Sequence, residues 1–148
     1  MLIVREMNPE DSIKIAELEQ SIFSDAWTQK GIEETFSQPH ALIVVAEDRQ
    51  KILGYCILYT VLDEAEIARI AVCGEERHRG TGSKILEACE KICVEKGVNK
   101  ILLDVRESNE TARRFYEKHG FQRDGIRKGF YENPCENAVL MSKGYYYH

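Results

Sequence analysis

Short apolar runs rich in β-branched residues alternate along the chain with longer segments in which apolar residues recur at helical spacing. The short runs predict strands at residues 2–7, 41–47, 52–59, 65–72, 100–105, 121–127 and 138–143. The longer segments predict helices at residues 9–23, 29–37, 83–96 and 109–119. The resulting order, β-α-α-β-β-β-α-β-α-β-β, predicts an α/β protein with a mixed sheet.

Residues with special backbone preferences mark the ends of these helices. Asn8 as cap and Pro9 at the first helical position suit the start of the first helix, and Thr28 suits the start of the second. Gly97 and Gly120 follow the third and fourth helices, where glycine favours the left-handed conformation that often ends a helix.

Two connections predict how the strands pair. The polar turn at residues 48–51 separates two apolar runs and predicts a hairpin. The strand–helix–strand unit between residues 65 and 105 predicts a parallel pair with a right-handed crossover. The first helix is expected to bury one apolar face, formed by Ile13, Ile15, Ala16, Leu18, Ile22 and Phe23.

Length and composition predict one globular domain over residues 1–148 and exclude several functional classes. No apolar run approaches the roughly 18 residues of a membrane span, and the first residues lack the pattern of a signal peptide. A net charge of −5 argues against a general nucleic-acid binder. We therefore expect a cytoplasmic protein that binds neither membrane nor nucleic acid.

The five cysteines have no C-x-x-C spacing, which favours reduced thiols. Cys89 and Cys93 are four residues apart, as metal ligands on a helix can be. They also continue the apolar stripe of the third predicted helix, so we expect core residues and no metal site.

One turn concentrates glycine and positive charge between the fourth predicted strand and the third predicted helix. Its residues are Arg77, His78, Arg79, Gly80, Thr81, Gly82, Ser83 and Lys84. Backbone N–H groups converge at the start of a helix, where the helix dipole favours an anion. The turn therefore predicts a site for a phosphate-bearing ligand, although an ordinary left-handed turn with a basic rim would have the same composition.

The spacing excludes two common phosphate motifs. A P-loop requires lysine after its second glycine, but Thr81 follows Gly80. The dinucleotide fingerprint requires a third glycine where Ile85 stands. The remaining pattern is [QR]-x-x-G-x-[GA], matched by Arg77, Gly80 and Gly82.

A second motif follows the fifth predicted strand. The pattern N-x-x-A-x-x-[FL]-Y-x-x-x-G-F is matched by Asn109, Ala112, Phe115, Tyr116, Gly120 and Phe121. Together, the two motifs and their order resemble the GNAT family of N-acetyltransferases. This resemblance implies a mostly antiparallel central sheet of about seven strands with about four helices, and acetyl-CoA as co-substrate.

Within that family, four segments resemble the bacterial enzymes that acetylate the N-terminal alanine of ribosomal protein S18. They are residues 61–65, 70–72, 104–109 and 126–131. The resemblance implies a protein N-terminus as partner and a monomer or weak dimer. Acetylation of a small amine, such as a polyamine or aminoglycoside, and a non-catalytic acyl-CoA sensor remain alternatives.

The family resemblance also assigns cofactor-binding roles. The backbone of Ile70, Ala71 and Val72 would pair with the pantetheine arm, although their side chains are typical of a core. The pyrophosphate would lie on the turn formed by Arg77, His78, Arg79, Gly80, Thr81, Gly82 and Ser83, with Lys84 adding charge. Asn109 would contact the cofactor, and it is equally suited to cap its helix.

Two residues receive catalytic roles from the resemblance. Tyr116 matches the tyrosine that protonates the leaving thiolate, or else it packs as a core aromatic. Asp104 stands where the S18-modifying relatives usually carry glutamate as general base. Aspartate is one methylene shorter and would collect the proton through a water, or it would instead pair with Arg69 or Arg106. Glu66 and Glu107 are the alternative bases.

Overall fold

The computed structural model describes residues 1–76 and 79–145 and arranges them as a seven-stranded sheet with helices on both faces. The strands are β1 (Ile3–Glu6), β2 (Ala41–Asp48), β3 (Lys51–Val61), β4 (Glu64–Val72), β5 (Lys100–Arg106), β6 (Gln122–Tyr131) and β7 (Glu136–Gly144). The α-helices are α1 (Ser12–Ile22), α2 (Gln29–Phe36), α3 (Thr81–Glu95) and α4 (Glu110–Lys118). The predicted order and the mixed α/β class are confirmed.

The strand order across the sheet is β1-β2-β3-β4-β5-β7-β6. β4 and β5 are parallel and are joined through α3, as predicted, whereas the other neighbours are antiparallel. The predicted hairpin between β2 and β3 turns at Arg49 and Gln50, and both residues have a positive φ. That conformation matches the twist of a two-residue hairpin turn.

Two apolar clusters lie on opposite faces of the sheet. The first fills the space between the sheet and α3 and α4, and it includes Cys89 and Cys93, which are fully buried core residues as expected. The second lies beneath α1 and α2. It draws on β2, β3 and β4 and includes no described residue of β5, β6 or β7. This cluster therefore covers the sheet over β2, β3 and β4 on that face and does not extend to β5, β6 and β7.

The prediction for the first helix is wrong in two respects. A 3-10 turn (Pro9–Asp11) precedes α1, and the side chain of Ile13 is 51% exposed. Ile13 lies two residues before the fully buried Ile15, which places it on the opposite side of a helix with 3.6 residues per turn. Glu19, one turn after Ile15, is fully buried instead. In the described residues, no helix has the length and apolar character needed to span a membrane.

The close approach of β3 and β4 predicts a stability effect at Gly54. A Cβ atom at this position would lie 2.7 Å from the carbonyl oxygen of Ala71 and 2.9 Å from Cδ1 of Ile85. We expect Gly54→Ala to lower the free energy of unfolding by about 1–3 kcal/mol, measured by urea denaturation. Gly125→Ala is the control, because a Cβ there meets nothing within 4 Å. Equal effects of the two substitutions would contradict the prediction.

Candidate active site

The parallel pairing of β4 with β5 covers only part of either strand. It extends from Glu64 opposite Lys100 to Ile67 opposite Leu103. Beyond this point β4 continues to Val72 while paired only with β3, and β5 continues to Arg106 while paired only with β7. The two strands thus enclose a wedge whose edges carry backbone groups without a ladder partner, as at any open strand edge.

A β-bulge in β4 accompanies this divergence. Leu58 of β3 pairs with Ile67, and the preceding Ile57 pairs with Arg69, so Ala68 has no partner on β3. Bulges bend a strand and reverse which face its side chains occupy. The bulge at Ala68 directly follows Ile67, the last residue of β4 that pairs with β5. Ile70, Ala71 and Val72, predicted as a cofactor-binding edge, form the portion of β4 that borders the wedge.

The glycine-rich turn leads from β4 into α3. Gly80 has a φ of 81° and precedes the first residue of the helix, a conformation that an L-residue adopts only with strain. The N–H groups of Thr81, Gly82 and Ser83 belong to the first helical turn, so they have no acceptor within the helix. Free N–H groups in this arrangement are typical of anion sites at helix N-termini, and the predicted binding of a phosphate here stays a prediction. Arg77 and His78 lie outside the described residues.

Side chains around this turn differ in their availability to a ligand. Arg79 is 72% exposed, and among the described residues its one ion-pair partner is Glu76, at 3.7 Å, so its guanidinium is held weakly. Thr81 is buried, and Lys84 is exposed. A Cβ at Gly82 would lie 3.4 Å from the ring of Phe115, an ordinary contact that explains why the motif admits alanine there.

The first turn of α3 contacts α4 directly. The Ser83 hydroxyl and Nε2 of His119 are 2.8 Å apart, and the ring of His119 lies 4.9 Å from that of Phe115. At the other end of α4, the side chain of Asn109 accepts a hydrogen bond from the N–H of Ala112 at 3.1 Å. The helix-cap alternative for Asn109 is therefore realised, and its predicted cofactor contact stays a prediction.

Tyr116 lies in α4 with 5% of its surface exposed, packed edge-on against Phe115 and Phe121. Within residues 1–76 and 79–145, its hydroxyl has no hydrogen-bond partner. Burial, followed by the nearby Cys56 and Cys89 thiols, raises the pKa of Tyr116 above its usual value. The phenol therefore stays protonated at neutral pH and retains a free donor, and its predicted role as the general acid stays a prediction.

Asp104 lines a cleft of about 690 Å³ on the face of the sheet opposite α3. Leu103 and Val105, its neighbours in β5, belong to the apolar cluster beneath α3, so alternation along the strand directs Asp104 to the other face. Glu66 and Leu140 share the cleft wall with it. The helix α3 and the cleft thus lie on opposite faces of the sheet.

The alternative that Asp104 is held in an ion pair is not supported. Arg69 binds Glu19 and Asp25, and Arg106 binds Glu136 at 3.3 Å. Among the described residues, Asp104 has no hydrogen-bond or ion-pair partner. Its carboxylate is half-buried and borders the cleft, and its predicted role as the base stays a prediction.

Tyr131, which received no role from the sequence, interacts electrostatically with both candidate catalytic groups. It ends β6, and the guanidinium of Arg106 stacks on its ring at 4.4 Å. Burial and then the charge of Asp104 raise the pKa of Tyr131, and Tyr131 is itself close enough to Tyr116 to affect that residue. The segment 126–131 carried part of the family resemblance, which was the available signal.

Comparison with known proteins adds to this geometry. Residues 13–121 match the model of the acetyltransferase (GNAT) family. Over 145 residues the chain is 34% identical to the [ribosomal protein bS18]-alanine N-acetyltransferase of Haemophilus influenzae, which covers 96% of this chain and 98% of that protein. It is 35% identical over 139 residues, or 93% of this chain and 92% of the other, to a Bacillus subtilis protein provisionally given the same activity.

Solved structures agree with the sequence comparisons. The crystal structure of the ribosomal-protein-S18-alanine N-acetyltransferase from Escherichia coli superimposes with a TM-score of 0.91 at 26% identity, covering 100% of this chain and 96% of that one. Ard1 from Thermoplasma volcanium superimposes with a TM-score of 0.89 at 25% identity, covering 99% of both chains. The chain therefore belongs to the acetyltransferase (GNAT) family and is an acetyl-CoA-dependent N-acetyltransferase.

Proposed function

We propose that this enzyme acetylates the N-terminal alanine of ribosomal protein S18, in the cytoplasm. The observation that carries the proposal is the junction of an unpaired β4 edge with a cleft that contains the free carboxylate of Asp104. The substrate assignment is supported by relatives that are 34% and 26% identical and bear that activity in their names.

The donor, acetyl-CoA, would be held by backbone rather than by side chains. The free edge at Ile70, Ala71 and Val72 can pair with the amides of the pantetheine arm as a further strand would. The N–H groups of residues 81–83 would receive the pyrophosphate, with Arg79 adding charge-assisted hydrogen bonds. This arrangement directs the thioester towards the wedge between β4 and β5.

The acceptor would enter through the cleft. Four carboxylates line it, from Glu64, Glu66, Asp104 and Asp124, against two cations, from Lys100 and Arg127. The excess of negative charge favours a positively charged peptide end. Tyr59, Leu102 and Leu140 supply apolar walls for the first side chain.

The chemistry requires one proton to leave the amine and one to reach the sulfur. The neutral amine attacks the thioester carbonyl, so that a C–N bond forms and the C–S bond breaks. Asp104 accepts the amine proton through a water molecule, and the Tyr116 hydroxyl donates its proton to the departing thiolate. The products are the acetylated peptide and coenzyme A. Asp104 then releases its proton to solvent, and solvent restores the proton of Tyr116.

An α-amine suits a short, water-mediated base. At pH 7 an α-amine with a pKa near 7.8 is roughly 15% neutral, whereas a lysine amine near 10.4 is under about 0.1% neutral. A far larger fraction of N-terminal amines is thus already neutral, so the base needs to remove a proton less often than it would from a lysine side chain. This difference favours an N-terminal acceptor for an enzyme that has aspartate at position 104.

The acceptor assignment predicts a specific pattern of turnover. With acetyl-CoA and a peptide carrying the N-terminal sequence of S18, we expect thiol release together with a mass increase of one acetyl group. The same peptide with a blocked N-terminus is the control and is expected to give neither. Turnover of spermidine, with no reaction of the free peptide, would contradict the proposal.

The catalytic assignments predict losses in turnover that neighbouring residues do not share. Asp104→Asn and Tyr116→Phe are each expected to lower kcat by about 100-fold or more, the range of a lost acid or base. Glu66→Gln removes another carboxylate of the same cleft, and Tyr131→Phe removes the hydroxyl of another partly buried tyrosine, so both serve as matched controls. A larger loss for Glu66→Gln than for Asp104→Asn would transfer the base role to Glu66.

Burial of Tyr116 predicts its behaviour at alkaline pH. Because its pKa is raised in the folded protein, we expect it to stay protonated between about pH 9 and 11, where exposed tyrosines ionise. The near-ultraviolet absorbance of tyrosinate should then rise equally in the parent and in Tyr116→Phe while both remain folded. The free energy of unfolding should fall less steeply above about pH 10 in the variant, because the unfolded chain loses this proton first. A smaller tyrosinate signal from the variant would contradict the prediction.

A further inference from the structure

A buried ion pair lies on the α1 side of β4 and has no part in the proposed chemistry. Glu19 is fully buried, and its carboxylate accepts hydrogen bonds from Nε and Nη2 of Arg69 at 3.1 and 3.0 Å. It also accepts from the hydroxyl of Tyr55 and from the backbone N–H of Trp27, the latter at 2.9 Å. These bonds occupy both carboxylate oxygens, so Glu19 has no free position from which to act as a base.

Arg69 is fixed from several directions. Its Nη2 also donates to the backbone oxygen and the carboxylate of Asp25, at 3.2 and 3.3 Å. Its guanidinium carbon lies 3.7 Å from the centroid of the Phe23 ring. Burial alone would lower the pKa of Arg69, but the hydrogen bond and charge of Glu19 raise it. The guanidinium therefore joins β4 firmly to α1 and to residues 23–27.

The bulge at Ala68 is what makes this contact possible. Before the bulge, Ala65 and Ile67 face the apolar cluster beneath α3. After it, Ile70 and Val72 contact that cluster, and Ala71 faces the cluster beneath α1. In a regular strand an odd-numbered residue would keep the α3 side, so Arg69 reaches Glu19 only because the bulge reverses the alternation.

We propose that the Arg69–Glu19 pair holds β4 in its bulged, divergent conformation and so keeps the wedge open for the donor. In a regular β4 the Arg69 guanidinium would enter the apolar cluster beneath α3 and Glu19 would lose its cation. Both changes would strand a buried charge, which is strongly unfavourable. Arg69 and Glu19 are thus positioning residues for acetyl-CoA. This inference rests on the proposed path of the pantetheine arm along residues 70–72.

The test removes the charge pair without leaving a lone buried charge. In the double variant Glu19→Gln with Arg69→Met, the amide oxygen retains an acceptor for the N–H of Trp27, and the amide nitrogen can donate to the hydroxyl oxygen of Tyr55. The methionine retains the unbranched stem. If the fraction of molecules with an open wedge falls to about one-tenth, the apparent Kd for coenzyme A rises about tenfold. Isothermal titration calorimetry with coenzyme A measures this without any acceptor. The KM for acetyl-CoA should rise similarly, with kcat at saturation nearly unchanged.

A second ion pair provides a matched control. Arg5 binds Asp11 at 2.8 Å and Glu47 at 2.7 Å, with a similarly buried carboxylate, but it lies on β1, three strands from β4. The variant Arg5→Met with Asp11→Asn should lose stability without a change in the Kd for coenzyme A. Arg69→Lys keeps the charge but not the two-pronged contact, so its Kd should lie between those of the parent and the double variant. This milder variant decides the question if the double variant fails to fold.

The Kd values of these variants for coenzyme A either support or overturn the inference. A rise in Kd confined to the variants at positions 19 and 69 supports the inference. An unchanged Kd in folded variants overturns it, as does an equal rise in the Arg5 control or a rise in the KM for peptide alone. If coenzyme A binding follows the expected pattern but no S18 peptide is acetylated, the proposed function fails and this inference stands.

Discussion

The parallel ladder between β4 and β5 ends after Ile67 and Leu103, and the free strand edges beyond this point are the constraint from which the site follows. A sheet that continued its pairing to Val72 would offer neither a backbone edge to an extended ligand nor a passage between its two faces. The interruption coincides with the bulge at Ala68, where β4 bends and its side chains change faces. A single irregularity in the ladder therefore produces both the opening and the exposed edge.

The two faces of the sheet suit the two substrates of the proposed reaction. The face beneath α3 and α4 is apolar and presents the open first turn of α3 at its margin, which suits a phosphate-bearing donor. On the opposite face, the apolar cluster beneath α1 and α2 does not include any described residue of β5 or β7, and the acidic cleft there suits a cationic acceptor. Tyr116 and Asp104 come from these different faces. Burial raises the pKa of Tyr116 and keeps its phenol protonated, whereas Asp104 borders the cleft.

The spacing of apolar residues, together with the capping residues and glycines at helix ends, was sufficient to predict the order of the helices and strands and several of their ends. The Thr28 side chain caps α2 by accepting from the N–H of Gly31, and Gly97 and Gly120 have the positive φ expected after a helix. These features depend on neighbours within a few residues. The glycine turn is of the same kind, because the conformation of Gly80 is dictated by the local path from strand to helix.

Features that depend on distant residues could not be predicted in the same way. The sequence alone suggests that Glu19 faces solvent, because its ion-pair partner, Arg69, lies fifty positions later in the chain. The bulge at Ala68 cannot be recognised in the sequence of β4, because it depends on how that strand pairs with β3 and β5. Asp104 could have paired with Arg69 or Arg106, and only the three-dimensional arrangement of Glu19 and Glu136 leaves it free.

In the proposed complex, the pantetheine arm of acetyl-CoA pairs with the edge of β4 that β5 leaves free beyond Ile67. Residue-resolved hydrogen exchange with and without coenzyme A tests this pairing directly. The account predicts that amides among Ile70, Ala71 and Val72 exchange more slowly in the complex. Residues 64–67, which are already paired with β5, should be unchanged and serve as the internal reference. Tight binding without any new protection at residues 70–72 would contradict the account.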